Sequence, residues 1–303
     1  MSLYNKYRPQ TLDEIRGNTT LVATLKKMLE DKTTCPHVFL FHGATGTGKT
    51  TLARIIAREL DIKGYDLQEI NSADFRGIDT VRDVIRSSQF MPLESKSRMW
   101  IIDEVQKLTN DAQSALLKIL EDTPSHVYFA LCTTEAQKIL DTIRGRCQQF
   151  QTSPLTEREM YGLLKHIVHL EQEELTRDVY DQIILDSMGL PRNAIQILEQ
   201  VLNVPKEQRL EVARKTAERQ SQSIELCRAL INNSSWKEVS RILSGLKDQD
   251  AESIRRHVMK YCEAVLLKGE NDRAGLVLEQ FWDPFFNTGF SGLVYSCYAI
   301  VRK

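Results

Sequence analysis

Apolar positions in the first half of the chain switch between two periods. Leu21, Val22, Leu25, Met28 and Leu29 share one helical face and predict an amphipathic helix. VFLF at 38–41 is a short apolar run between Pro36 and Gly43, which predicts a buried strand. Leu52, Ile55, Ile56 and Leu60 return to helical spacing. LQEIN (67–71), RMWIID (98–103) and VYFALC (127–132) are further strand candidates. Between them Ile78, Val81 and Ile85, then Ala112, Ala115, Leu116 and Ile119, mark two more helices. Strand–helix alternation predicts an α/β domain over residues 1–154, a parallel sheet with helices on both faces.

After Pro154 the pattern becomes helical throughout. Thr156 and Glu159 form a capping-box pair ahead of one helix. Val179, Ile183 and Ile184 lie on a second, closed by Gly189 as a left-handed cap. Pro191 suits the first position of a third, PRNAIQILEQVL. These predict a small helical domain over 155–203, a linker at VPKEQ, and a helical domain over 204–303 that contains Ile254, Val258, Tyr261 and Val265.

A chain of 303 residues suits two or three such domains. The net charge of −1 gives no bulk attraction to nucleic acid, so any such contact needs a local basic patch. Cys35, Cys132, Cys147, Cys227, Cys262 and Cys297 form no CxxC pair, which argues against a zinc site or a disulfide framework and for reduced thiols in a cytoplasmic protein. MSLYNKYRPQ has no apolar core, so no signal peptide is expected, and no apolar run approaches membrane-spanning length.

GATGTGKT (43–50) lies between the first strand and a helix and fits a phosphate-binding loop. Gly43, Ala44, Thr45, Gly46, Thr47 and Gly48 would turn backbone N–H groups toward phosphate oxygens, with Thr51 opening the helix. Lys49 would meet the β- and γ-phosphates, and the Thr50 hydroxyl would ligate Mg²⁺. MWIIDE (99–104) delivers Asp103 and Glu104 to a strand end, Asp103 to hold the metal through water and Glu104 to orient and deprotonate the attacking water. No guanine-reading [NT]KxD segment is present, so ATP is expected rather than GTP. Further charge stabilisation would come from Thr134 after the fourth strand, from Arg192 at the start of the third small-domain helix, and from Arg146. Arg192 would report nucleotide binding as closure of a lid. Arg146, in DTIRGRCQQF, would point away from its own loop toward a neighbour.

Six segments in order carry a family resemblance: YNKYRPQTLDEIRGN, GATGTGKTTLARIIA, NSADFRGIDTVRDVI, IIDEVQKLTNDAQSALLKILED, CTTEAQKILDTIRGRC and GLPRNAIQILEQ. Over roughly residues 4–203 the chain resembles the AAA+ clamp-loader ATPases, both bacterial gamma/tau subunits and replication factor C small subunits. The resemblance implies an ATPase domain, a helical lid and a helical collar. It implies that Arg146, in Gly145-Arg146-Cys147 where the family has Ser-Arg-Cys, is a finger reaching a neighbouring subunit's ATP. Thr134 and Arg192 match the family's two sensors, and Tyr7, Arg8 and Pro9 its adenine-flanking segment. The bacterial four-cysteine zinc insert is replaced by ELDIKGYDLQEIN, so no zinc is expected.

By the same resemblance Arg76, Arg82, Lys107, Thr109 and Asn110 would face DNA, with Thr109 and Asn110 offering helix N-terminal N–H groups to phosphate. Arg76 is also expected to restrain Glu104 until DNA arrives. Phe90, Met91 and Leu93 would touch a sliding clamp. The implied assembly is a pentameric spiral, homomeric or heteromeric, with head-to-tail interfaces. It would load a sliding clamp onto primer–template DNA, its hydrolysis stimulated by DNA and clamp. The alternatives are another DNA-directed AAA+ motor, for branch migration or helicase loading, and a nucleotide-binding structural subunit of a loader.

Overall fold

The computed structural model describes residues 2–31, 35–74, 76–213 and 222–302. They form two compact units, Leu3–Glu159 and a second that begins at Met160.

The first unit opens with the short helix α1 (Leu3–Lys6) and α2 (Thr19–Glu30). Five strands follow: β1 (Val38–His42), β2 (Leu67–Asn71), β3 (Arg98–Asp103), β4 (Val127–Thr133) and β5 (Gln148–Gln151). They make one parallel sheet in the order β2-β3-β4-β1-β5. The connections carry α3 (Lys49–Glu59), α4 (Ile78–Ser88), α5 (Asn110–Glu121) and the single turn α6 (Asp141–Arg144).

Successive strand side chains point to opposite faces, and each face has its own core. Phe39, Phe41, Met99, Ile101 and Tyr128 pack with Leu25 of α2 and Leu52, Ile55 and Ile56 of α3. Leu40, Trp100, Ile102, Phe129 and Leu131 pack with Val81 and Val84 of α4 and Leu116 and Ile119 of α5. Each fully buried side chain of this size stabilises the fold by about 1.5–3 kcal/mol.

Patterning predicts four strands and the sheet has five. β5 reads QQFQ, with Phe150 as its one buried side chain, so a polar edge strand carries almost no apolar signal. It is held instead by backbone pairing to β1, Phe39 opposite Gln148 and His42 opposite Gln151.

α7 (Glu157–Leu170) starts with the expected capping box: Thr156 N–H donates to Glu159 Oε2 at 2.8 Å and Glu159 N–H to Thr156 Oγ1 at 3.3 Å. In the second unit α8 (Arg177–Ser187) ends on two left-handed residues, Met188 (φ 55°) and the predicted Gly189 (φ 75°). α9 (Pro191–Leu202) begins at the predicted proline. Further helices among the described residues include Gln222–Ile231, Trp236–Gly245, Ala251–Leu266, Asp272–Gln280 and Gly289–Arg302. The expected linker is anchored, since buried Arg209 donates to the carbonyls of Val204 and Glu174 and pairs with Glu173 at 2.9 Å. Asp186 of α8 pairs with Arg228, across the boundary expected at 203. Buried Glu252 accepts two 2.8 Å bonds from Arg255 and one of 2.9 Å from the Phe285 N–H, which ties the helix Ala251–Leu266 to the loop near 285.

Candidate functional site

Strand register gathers the site at one sheet edge. His42 of β1 lies opposite Thr133 of β4, and Asn71 of β2 opposite Asp103 of β3. Each of these strands therefore stops at the same level, and the loops that leave them meet there.

The loop after β1 curls through positive φ at Gly43 (148°), Gly46 (78°) and Gly48 (99°) before α3 begins at Lys49. One wall is Thr152, the residue after β5. The Thr152 N–H donates to His42 O at 2.8 Å, and the Thr47 and Thr152 hydroxyls share a 2.7 Å bond. A side chain at Gly43 would begin 2.3 Å from the Thr152 carbonyl oxygen, so this residue must be glycine. Buried Lys49 turns back into the loop, its Nζ donating at 2.9 Å to both Gly43 O and Ala44 O. A curled backbone, a helix N-terminus and one buried ammonium fit a polyphosphate.

Thr50 Oγ1 donates to Asp103 Oδ2 at 2.6 Å, although the residues are 53 apart in sequence. A hydroxyl and a carboxylate held together offer hard oxygen donors of the kind that would hold Mg²⁺. Glu104 follows in the left-handed region at φ 52°, uncommon for a non-glycine residue and a conformation that collects at functional sites. Its Oε2 accepts a hydrogen bond from Gln106 Nε2. The same Nε2 donates to Thr134 Oγ1 at 3.0 Å, and Gln106 Oε1 accepts from Thr133 Oγ1 at 2.7 Å. Lys49, Thr50, Asp103, Glu104 and Thr134 thus lie together at this end of the sheet.

Gln106 and Thr152 are the residues that motif reading misses. A polar residue between Val105 and Leu108, both buried, was the available signal for Gln106. The expected restraint of Glu104 by Arg76 is not what the structure holds. Arg76 Nε donates to Ala73 O at 3.0 Å, and among the described residues the Glu104 carboxylate is bonded by Gln106. Gln106, two residues along a tight turn, reaches the carboxylate first.

Arg146 lies at the other edge of the sheet. It lines an open cleft of about 470 Å³ with Pro36, His37 and Val38, at the start of β1, and with Leu120 and Glu121, at the end of α5. Its guanidinium pairs with Glu121 and donates to Thr142 O at 2.8 Å. Arg144 is bound to Asp141 in its own turn. Burial pushes the Cys147 thiol up to about 12, and it donates to Ile143 O at 3.1 Å, so it packs as an apolar group. Tyr7, Arg8 and Pro9 run beside α3. The Arg8 guanidinium lies 4.8 Å from the Tyr4 ring centre, and Gln10 O accepts from Arg58 of α3 at 3.3 Å. Arg192 belongs to the second unit, in the first turn of α9.

α4 and α5 pack side by side and share a start, where the Thr109 N–H donates to Arg76 O at 3.2 Å. Thr109 caps α5 by accepting from the Ala112 N–H at 3.2 Å. Arg76, Lys107, Thr109 and Asn110 are exposed at this end, and Arg82 stands exposed on α4, paired with Asp79 at 2.9 Å. Phe90, Met91 and Leu93 are 64%, 69% and 77% exposed on the loop after α4. Buried Asp66 holds that loop, accepting from the N–H groups of Leu93, Glu94 and Ser95 at 2.7–2.8 Å. No helix among the described residues is long and apolar enough to cross a membrane.

Comparison with known proteins bears on this geometry. A sequence family described as "DNA polymerase III, delta subunit" matches residues 61–156. Replication factor C subunit 3 of Blastobotrys adeninivorans is 36% identical over 198 residues, 64% of this chain and 58% of that protein. DNA polymerase III subunit gamma/tau of Mycobacterium bovis is 33% identical over 225 residues, 67% of this chain and 39% of that protein. The chain therefore spans less than two thirds of the length of these relatives. Among solved structures, a Thermotoga maritima RuvB Holliday junction branch migration motor matches with a TM-score of 0.62 over 90% of this chain and 91% of that one, at 21% identity, a likeness of fold alone.

Proposed function

We propose that the chain is an AAA+ clamp-loader ATPase subunit that hydrolyses ATP to load a sliding clamp onto primer–template DNA, a reading supported by its likeness to replication factor C and gamma/tau subunits. The observation that carries this is the placement of Lys49, the Thr50–Asp103 pair and Glu104 at one edge of the sheet, with Arg146 at the other.

The loop backbone and Lys49 bind the phosphates, with Tyr7–Pro9 flanking the base. Thr50 and Asp103 would hold Mg²⁺, which would supply charge neutralisation to the phosphates. Glu104 takes a proton from water as the water oxygen bonds to the γ-phosphorus. The bond to the bridging oxygen breaks, and ADP departs with that oxygen. Thr134 donates to a γ-phosphate oxygen. Arg146 supplies its positive charge to the nucleotide of the next subunit, and Arg192 couples nucleotide to the lid.

Residues 155–203 act as that lid and 204–303 as a collar that assembles a pentameric spiral. Exposed Trp282, Phe286 and Tyr295 suit contacts between collars. Arg76, Arg82, Lys107, Thr109 and Asn110 contact the DNA backbone, without sequence readout. Phe90, Met91 and Leu93 dock on the clamp. The work is done in the cytoplasm, of the host if the source is a phage.

The test is steady-state ATP hydrolysis by wild type and Glu104→Gln, with and without primer–template DNA and a sliding clamp. Hydrolysis that rises when both are present, and disappears in the variant, is expected. Hydrolysis indifferent to DNA and to every clamp overturns the loading role.

A further inference from the structure

Gln106 carries no role in the chemistry so far, yet its amide touches both reacting side chains. It is buried, and its hydrogen-bonding capacity is committed in one sense only. Nε2 has two hydrogens; one goes to Glu104 Oε2 and the other to Thr134 Oγ1 at 3.0 Å. Oε1 accepts from the Thr133 hydroxyl at 2.7 Å. The flipped amide would set a carbonyl oxygen against a carboxylate, so the orientation is fixed by chemistry.

We propose that Gln106 is a positioning residue that holds Glu104 and Thr134 at a set spacing for attack on the γ-phosphate. The inference rests on the reading of Glu104 as the base. A hydroxyl that accepts from Gln106 must aim its own hydrogen elsewhere, which leaves the Thr134 proton for a phosphate oxygen. Among the described residues Gln106 holds the carboxylate through Oε2, which leaves Oε1 for the water proton. One amide therefore removes rotational freedom from both groups and blocks neither reacting atom. Thr133, at the end of β4, anchors the amide to the sheet.

The experiment measures kcat and KM for ATP, with primer–template DNA present, in wild type, Gln106→Met, Gln106→Glu, Thr133→Val and Glu104→Gln. Methionine fills the space and donates nothing. Its kcat is expected to fall about 10- to 100-fold, with KM held within about 3-fold, since misplacement by an ångström costs on that order. Glutamate keeps the size and can still accept from Thr133, but it cannot donate to Glu104 and is expected to be equally slow. Thr133→Val leaves Gln106 in place and loosens its anchor, giving a smaller fall in kcat alone. In a Thr134→Ala background Gln106→Met is expected to cost less than in wild type, because one of the two positioned groups is already gone. Should Gln106→Met not fold, the Gln106→Glu and Thr133→Val pair decides. Wild-type kcat in both Gln106 variants, or a change confined to KM, overturns the proposal. Hydrolysis surviving in Glu104→Gln overturns the reading of the base instead, whatever the Gln106 variants do.

Discussion

Arg146 and Lys49 stand at opposite ends of strand β1. Lys49 bonds the carbonyl of Gly43, which follows the last residue of the strand, and Arg146 shares a cleft with Val38, the first. Four residue steps of strand separate the two ends, about 13 Å. Arg146 cannot serve its own loop without leaving Glu121 and crossing the sheet. Arg146→Ala is expected to lower hydrolysis by about 10³-fold, and Lys49→Ala to abolish it. Mixing the two inactive variants should restore part of the activity, since one brings the arginine and the other the loop. A mixture as inactive as its components would place the arginine outside catalysis.

The residue before Arg146 is glycine, where the Ser-Arg-Cys motif expected from the resemblance has serine. Gly145 sits at φ −66°, and a Cβ there would meet its nearest neighbour, Asp141 O, at an ordinary 3.4 Å. Nothing in its backbone requires glycine. Gly145→Ser is expected to change stability by no more than about 0.5 kcal/mol and to leave hydrolysis intact, checked by thermal melting and an ATPase assay.

Gly43 and Gly48 should respond differently to alanine. At Gly43 the new methyl meets a backbone oxygen 2.3 Å away, whereas at Gly48 it meets nothing within 4 Å and only the φ of 99° is unfavourable. Gly43→Ala is expected to cost about 3 kcal/mol or more and to abolish nucleotide binding. Gly48→Ala should cost about 1–2 kcal/mol. Denaturant melts on both would show the gap.

Asp66 supports the loop that carries Phe90, Met91 and Leu93. Burial pushes its carboxyl up, but the N–H groups of Leu93, Glu94 and Ser95 and the Arg98 guanidinium pull it further the other way, and the net effect is below the usual carboxylate range. Its stabilisation is therefore present above that range and is lost as pH falls through it. Asp66→Asn leaves Arg98 buried opposite a neutral group, at a cost of about 3–5 kcal/mol. Faster hydrogen exchange at the Leu93, Glu94 and Ser95 amides should accompany the loss.

Glu252 offers a pH test in the second unit. The Arg255 guanidinium pulls its carboxyl down against the opposing effect of burial, and the Phe285 N–H adds to that pull, leaving it at about 2. The folded state holds the ionised form more tightly than the unfolded chain does. Its contribution is full above pH 4.5, the ordinary value, and disappears as pH drops toward 2. Urea midpoints between pH 6 and 2 should fall across that window in wild type, and less steeply in Glu252→Gln, which is already weakened by about 3–5 kcal/mol.

Four strands, the helices and the phosphate loop were legible because their signals are local. Apolar period two or 3.6 marks an element, and the loop, Asp103 and Glu104 come from contiguous runs. β5 escaped because an edge strand with one buried residue has no period to read. Gln106, Thr152 and Asp66 escaped for another reason. The bonds from Gln106 to Thr134, from Thr152 to Thr47 and from the Leu93–Ser95 amides to Asp66 span 28, 105 and 27–29 residues, so they exist only once the sheet has brought the loops together. Arg76 shows the converse: position in a segment suggested a contact with Glu104, and a side chain two residues away took it.

The direction of β1 has an arithmetic consequence. A row of n chains joined finger to loop contains n − 1 completed sites, because the arginine at one end meets no loop and the loop at the other end meets no arginine. The two terminal members are chemically distinct although identical in sequence. Turnover per chain in such a row climbs with its length toward a ceiling, and only a closed circle would reach it.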